Sequence, residues 1–88
     1  MKDLLIDSAF RRDLKVCRKR GADIGRVDAT IQLLRDGLSL PPNYRSHKLQ
    51  GNWGGAWECH VAPDLLLVYD FDETAVILIR LGSHSDLF

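Results

Sequence analysis

The sequence is poor in features that would place it outside the cell or in a membrane. It has only two cysteines, Cys17 and Cys59, among 88 residues, too few for a disulfide framework or a four-ligand zinc site. No apolar run is longer than the five residues 65–69, whereas a membrane-spanning helix needs ~20. Asp3 and Asp7 interrupt the apolar N-terminus, which is atypical of a secretory signal peptide. We therefore expect a cytoplasmic protein with reduced, buried thiols and no membrane association.

Motifs for nucleotide binding and serine hydrolysis are also missing. There is no Walker loop, no Gly-x-Gly-x-x-Gly segment and no nucleophile elbow. The three histidines, His47, His60 and His84, are separated by thirteen and twenty-four residues, which matches no short-range metal-ligand motif. We expect no metal ion or other cofactor.

The length and charge distribution describe one small domain with two different halves. A chain of 88 residues that is 45% hydrophobic and 27% charged is typical of a single soluble domain, here residues 1–88. Residues 1–50 hold eleven Lys and Arg against six Asp and Glu, whereas residues 51–88 hold one against six. This asymmetry is consistent with a surface that binds a polyanion, or with a solvated helix face beside an acidic sheet edge.

Hydrophobic periodicity predicts two helices followed by three strands. Phe10, Leu14 and Cys17 share one face of the first helix, which Asp7 or Ser8 can cap. Asp23 can cap the second helix. The predicted elements are a strand over 2–6, helices ending near 20 and 37, a loop over 39–55, strands over 56–62, 65–71 and 74–81, and a tail over 83–88.

The order of these elements predicts an α+β fold of the form β-α-α-β-β-β, with a mostly antiparallel sheet packed against a two-helix hairpin. Strand alternation places Trp57, Cys59 and Val61 on the core face, so that Glu58 and His60 face away from it. The same alternation predicts that Val76, Leu78 and Arg80 share a face.

Three separated blocks resemble the YafQ branch of the RelE/ParE toxin superfamily. They are HKLQGNW at 47–53, ECHVAPDLLLVY at 58–69 and RLGSHSDLF at 80–88, preceded by LPPNY at 40–44. The resemblance implies a RelE-like fold and a ribosome-dependent mRNA endonuclease, neutralised by a cognate antitoxin that covers the basic surface or the histidine cleft. One position departs from the family pattern, because Leu65 stands where an aromatic residue often follows Pro-Asp. A leucine cannot stack on a base, so substrate preference or turnover can differ.

The resemblance also implies a set of active-site residues. Position by position, it falls on His47, His60, Asp64, Arg80, His84 and Phe88. RNA cleavage needs a base, an acid and a cation, and side chains can supply all three. We assign His84 as general acid, His60 or Asp64 as general base, and Arg80 as the cation that binds the phosphate. His47 would transfer a proton or place the phosphate.

Further residues are candidates for substrate binding. Phe88 can stack on a base, and Lys48 lies next to His47. The basic residues of the first helix can bind ribosomal RNA; they are Arg11, Arg12, Lys15, Arg18 and Lys19.

Structural interpretations of the same residues stay open at this point. Asp64 is also an ordinary turn residue, Arg80 can pair with Glu58 or Asp70 across the sheet, and Phe88 can cover the core. Two other functions also stay open. One is a ParE-like inhibitor of DNA gyrase that catalyses nothing, although such relatives generally lack the histidine set. The other is an inactive homologue that only binds an antitoxin.

Overall fold

A computed structural model describes all 88 residues and contains a single five-stranded sheet. Its strands are β1 (Asp3–Ile6), β2 (His47–Lys48), β3 (Trp57–Ala62), β4 (Leu65–Phe71) and β5 (Ala75–Gly82). Their order across the sheet is β1-β5-β4-β3-β2. Only the β1–β5 pair is parallel, and the other three pairs are antiparallel. The predicted α+β fold with a mostly antiparallel sheet is confirmed.

Two helices, α1 (Ser8–Lys19) and α2 (Ile24–Arg35), follow β1. Each begins at a predicted cap: Asp7 accepts a hydrogen bond from the Ala9 amide at 2.9 Å, and Asp23 accepts one from the Arg26 amide at 3.2 Å. These contacts satisfy amides that have no partner within the helix. No helix of the chain combines the length and the apolar character needed to span a bilayer.

The hydrophobic core lies between these helices and one face of the sheet. Cys17 of α1 and Val27 of α2 pack with Cys59, Val61 and other residues of the sheet in one buried cluster. Both cysteines are free and buried, as predicted. Burial raises the pKa of Cys59 to about 12 and raises that of Cys17 as well, so neither thiol is a nucleophile at neutral pH.

The segments predicted as loop and tail contain short elements that periodicity could not reveal. The loop holds β2 and two 3-10 turns, Pro42–Tyr44 and Gly51–Trp53, and the tail holds a one-turn helix, α3 (His84–Leu87). Elements of two to four residues are too short to display a hydrophobic period. The predicted loop and tail therefore contain short elements that the sequence did not predict.

A β-bulge in β5 overturns the predicted alternation of Val76, Leu78 and Arg80. Tyr69 pairs with Leu78 while Val68 pairs with Arg80, so β5 has one extra residue, Ile79, at this point. Leu78 belongs to the core and is 1% exposed, and the extra residue turns Arg80 to the opposite face. Bulges frequently redirect a side chain in this way beside active sites.

Candidate active site

The face of the sheet opposite α1 and α2, here called the outer face, brings several predicted site residues into one row. His47 pairs with Glu58, Glu58 pairs with Val68, and Val68 pairs with Arg80. His60 follows Glu58 by two residues on β3, so strand alternation places it on the same face. The fold therefore joins residues from three separated parts of the sequence.

Glu58 occupies the centre of this arrangement between two imidazole rings. Its side chain is only 7% exposed, and its Oε1 lies 3.6 Å from Nε2 of His47 and 4.0 Å from Nε2 of His60. Nδ1 of His47 lies 3.0 Å from the carbonyl oxygen of Arg45. Glu58 was predicted to face away from the core and to be a possible partner of Arg80, but it was not among the predicted site residues.

Arg80 is held by Asp13 of α1, and not by Glu58 or Asp70 as the structural alternatives predicted. Its Nε donates to Asp13 at 2.6 Å and its Nη2 donates at 3.2 Å, while the Leu81 amide donates to the same carboxylate at 3.0 Å. The Asp13 hydrogen bond and charge raise the pKa of Arg80. The two bonds fix the plane of the guanidinium and leave its Nη1 group without a hydrogen-bond partner in the chain.

Asp13 was missed, although the sequence held a signal for it. It follows Phe10 by three residues and precedes Cys17 by four, so it lies on the core side of α1. A carboxylate on the core side of a helix requires a partner. The partner could not be named from the sequence alone. β1 pairs with β5 only as far as Leu78, so the guanidinium of Arg80 can reach past this edge of the sheet to Asp13.

His84 is positioned by contacts from three directions. Its backbone amide donates to Asp64 at 3.4 Å, so Asp64 is both a turn residue between β3 and β4 and a support for α3. Ser83 and Asp86 form a capping box that starts α3, and Arg20 pairs with Asp86 at 2.7 Å. The final turn is thereby fixed to α1 and to the β3–β4 turn.

The stability of this final turn is expected to depend on pH through Asp86. Hydrogen bonds from Arg20 and from the Ser83 amide lower the pKa of Asp86 from 3.8 to about 2. A lowered folded-state pKa adds stability above pH ~3.8, and that stability is lost as the pH falls towards 2. The variant Asp86→Asn should therefore unfold at lower urea concentration than wild type at pH 6, with a smaller difference at pH 3. An equal difference at both pH values would contradict the assignment.

Aromatic side chains lie beside His84. Phe88 is 50% exposed, and its ring centroid lies 5.2 Å from that of His84 and 5.4 Å from that of Trp53. Phe88 is outside the core cluster, so the interpretation that it covers the core was wrong. Trp53 lies in the predicted loop over 39–55 and was not among the predicted site residues. Leu65, in contrast, is 7% exposed and belongs to the core cluster.

The predicted basic residues are exposed but do not converge on the outer face. The five on α1 lie on the opposite side of the sheet; they are Arg11, Arg12, Lys15, Arg18 and Lys19. Lys48 follows His47 on β2, so alternation directs it away from the histidines. A polar depression of about 430 Å³ does adjoin His60, and Arg26, Asn43 and Arg45 line it. No group of three or more His, Cys, Asp and Glu side chains is placed to share a metal ion.

Comparison with known proteins shows which family the chain belongs to. Residues 2–88 match the family described as "Bacterial toxin of type II toxin-antitoxin system, YafQ". The chain belongs to the YafQ family. It is 33% identical to the mRNA interferase toxin YafQ of Escherichia coli K12 over 88 residues, which cover 99% of this chain and 96% of that protein.

Solved structures of YafQ agree with this family assignment along the full chain. The crystal structure of YafQ from E. coli BL21(DE3) superposes with a TM-score of 0.93 at 31% identity, covering 100% of this chain and 99% of that one. YafQ in the E. coli DinJ-YafQ toxin-antitoxin complex superposes with a TM-score of 0.91 at 33% identity, covering 99% and 97%. The predicted RelE-like arrangement of this YafQ-family chain is confirmed.

Proposed function

We propose that this YafQ-family chain is a toxin that cleaves mRNA on the ribosome. The observation that carries the proposal is the outer face, where two histidines and an arginine share one cross-strand arrangement. The name of the E. coli relative, mRNA interferase, supports the same activity. Membership of the YafQ family also favours this function over the ParE-like inhibition of gyrase.

The cleavage step needs a base, an acid and a cation, and the site contains a side chain for each of these roles. We assign His60, and not Asp64, as the base that takes the proton of the 2′-hydroxyl. The Asp64 carboxylate already accepts a hydrogen bond from the His84 backbone amide. The 2′-oxygen then forms a bond to the adjacent phosphorus while the bond from phosphorus to the 5′-oxygen breaks. His84 donates a proton to that leaving oxygen. The products are a 2′,3′-cyclic phosphate and a 5′-hydroxyl.

The remaining residues bind the substrate or stabilise its charge. Arg80, oriented by Asp13, neutralises the non-bridging oxygens as charge builds on the phosphate. His47 is a second proton acceptor or a phosphate contact, and exposed Phe88 can stack on a base. Because side chains supply the base, the acid and the cation, we propose cleavage without a metal ion or other cofactor.

Two macromolecular partners follow from this function. The ribosome would present the mRNA, which places the activity in the cytoplasm, and an antitoxin would neutralise the protein. The E. coli YafQ structure solved with DinJ supports an antitoxin partner.

The basic residues of α1 are proposed to bind ribosomal RNA. None of the five makes an ion pair within the chain, so their charges are available to a polyanion. Reversing two of them, in Arg11→Glu/Lys15→Glu, should weaken binding to ribosomes and reduce its salt dependence by about two phosphate contacts. Thermal unfolding should change little because both side chains are exposed. Unchanged affinity at several salt concentrations would contradict this role.

Primer extension on a reporter mRNA tests the proposed function. The wild-type protein is added to a translating extract and, separately, to the same mRNA without ribosomes. Cuts phased with codons in the extract, and none on free mRNA, are the expected result. If the folded protein produced no cuts, the binding-only functions would be favoured, and gyrase supercoiling would be the next assay.

A further inference from the structure

The polar depression beside His60 has a positively charged lining that the proposed cleavage chemistry does not use. We propose that this depression is a second phosphate site, in which Arg26 and Arg45 bind a phosphodiester of the mRNA strand next to the one that is cleaved. The site rests on the proposed ribonuclease function and adds two substrate-binding residues to it. Neither arginine takes part in proton transfer.

Three separate segments of the chain line the depression. They are residues 60–63 at the end of β3, Arg26 in the first turn of α2, and Asn43 with Arg45 in the segment before β2. β2 pairs with β3 no further than Glu58, so the edge of β3 beyond that residue is not covered by another strand. The volume of about 430 Å³ lies in the range of sites that bind small molecules, and is sufficient for one nucleotide.

The charged side chains that line the depression are both positive, and no carboxylate lies among them. The arginines that pair with carboxylates in this chain are Arg20 and Arg80. Arg26 and Arg45 are exposed, so their guanidinium groups keep their donors for a ligand, and the Asn43 amide adds another. Because a guanidinium binds two phosphate oxygens with parallel hydrogen bonds, a phosphodiester is the ligand that this lining fits.

The backbone of Arg45 connects the depression to the active site. Its amide donates to the Pro42 carbonyl at 3.0 Å, and its carbonyl oxygen lies 3.0 Å from Nδ1 of His47. Arg45 adopts φ 49°, and no other residue except glycine has a positive φ. Glycine adopts this conformation at lower cost, so an arginine retained here points to a role for its side chain.

Arg45 and Arg80 lie on opposite sides of His60 in the sheet. His47 pairs with Glu58 in antiparallel register, so Arg45, two residues before His47, falls near His60, two residues after Glu58. Arg80 is on β5, which lies beyond β4 on the other side of β3. Every nucleotide of an RNA strand carries a phosphate, so a strand with its scissile phosphate between His60 and Arg80 would bring a neighbouring phosphate to the depression.

Neutralising both arginines should weaken substrate binding and leave the chemical step unchanged. The double variant is Arg26→Gln/Arg45→Asn, because asparagine tolerates a left-handed backbone and keeps the carbonyl that contacts His47. Affinity is measured with ribosomes carrying an mRNA that has a 2′-deoxynucleotide at the cleavage position and so cannot be cut. We expect a Kd about 10-fold higher than wild type, with kcat on cleavable mRNA unchanged. The matched control is Arg35→Gln, at the other end of α2 and outside the depression, which should bind as wild type does.

Single methylphosphonate linkages in the same mRNA identify the phosphate, because this linkage carries no charge. Placed at the phosphate that the arginines contact, it should weaken binding of the wild type by about 10-fold and leave the double variant unaffected. A difference between the two proteins that is equal at every linkage, or that persists on ribosomes without mRNA, would place the contact on ribosomal RNA and overturn the assignment to mRNA. Equal Kd values for wild type and double variant would overturn the site itself. Cleavage by the wild type is measured separately, so its absence would instead contradict the proposed function.

Discussion

Replacing His84 by alanine should lower the single-turnover rate of mRNA cleavage by about 10²–10⁴-fold, the usual contribution of one proton-transfer group. The imidazole is removed, so the 5′-oxygen would leave without a proton. The fold should persist, because the contact with Asp64 uses the His84 backbone amide, and Asp86 keeps its bonds to Ser83 and Arg20. Cleavage on purified ribosomes carrying a defined mRNA provides the rate.

The matched control for this variant is Ser85→Ala, one residue further along α3. The only hydrogen bond of its side chain is a 3.5 Å approach to the Ser83 hydroxyl, so this variant tests whether any change in α3 disturbs the site. We expect it to cleave at the wild-type rate. If His84→Ala cleaved as fast as Ser85→Ala, the role of His84 as general acid would be wrong.

Arg80→Lys should reduce cleavage by about 10²–10³-fold, as the loss of one donor to a developing oxyanion typically does. Lysine keeps the positive charge but cannot hold Asp13 with two parallel bonds and still offer a fixed donor to the phosphate. The rate is measured in the same ribosome assay, with ribosome affinity followed in parallel. Wild-type cleavage by Arg80→Lys would show that a point charge is sufficient and that the bidentate geometry has no catalytic role.

Asp13→Ala is expected to act on both stability and catalysis. The Leu81 amide and the Arg80 guanidinium would lose their common acceptor, which should lower the free energy of unfolding by about 1–3 kcal/mol. Cleavage should fall less than in Arg80→Lys, because the guanidinium is still present but no longer oriented. Urea unfolding and the ribosome assay measure the two effects, and a variant as stable and as active as wild type would contradict them.

The parts of the fold that depend on local chemistry were predictable from sequence. Asp7 and Asp23 cap the two helices because their side chains accept hydrogen bonds from backbone amides of the first turn. The alternation of β3 placed Cys59 in the core and His60 on the opposite face, and the structure confirms both. Helix caps and strand alternation depend only on residues that are close in the chain, so they can be predicted from a single sequence.

Features that depend on contacts between distant segments were not predictable in the same way. The extra residue in β5 reverses the direction of Arg80, and only pairing with β4 reveals it. The two-residue strand β2 exists because the edge of β3 offers it hydrogen bonds, and it brings His47 opposite Glu58. The significance of Glu58 and Asp13 depends on these arrangements, so neither could be assigned a partner beforehand.

The chemical nature of the newly formed RNA ends tests the central claim most directly. Downstream fragments from cleaved, ribosome-bound mRNA are incubated with polynucleotide kinase and labelled ATP, with and without prior phosphatase treatment. Attack by the 2′-hydroxyl, with a proton supplied by His84, predicts 5′-hydroxyl ends that accept the label without phosphatase. Ends that accept the label only after phosphatase treatment would be 5′-phosphates, and would contradict cleavage through the 2′-oxygen.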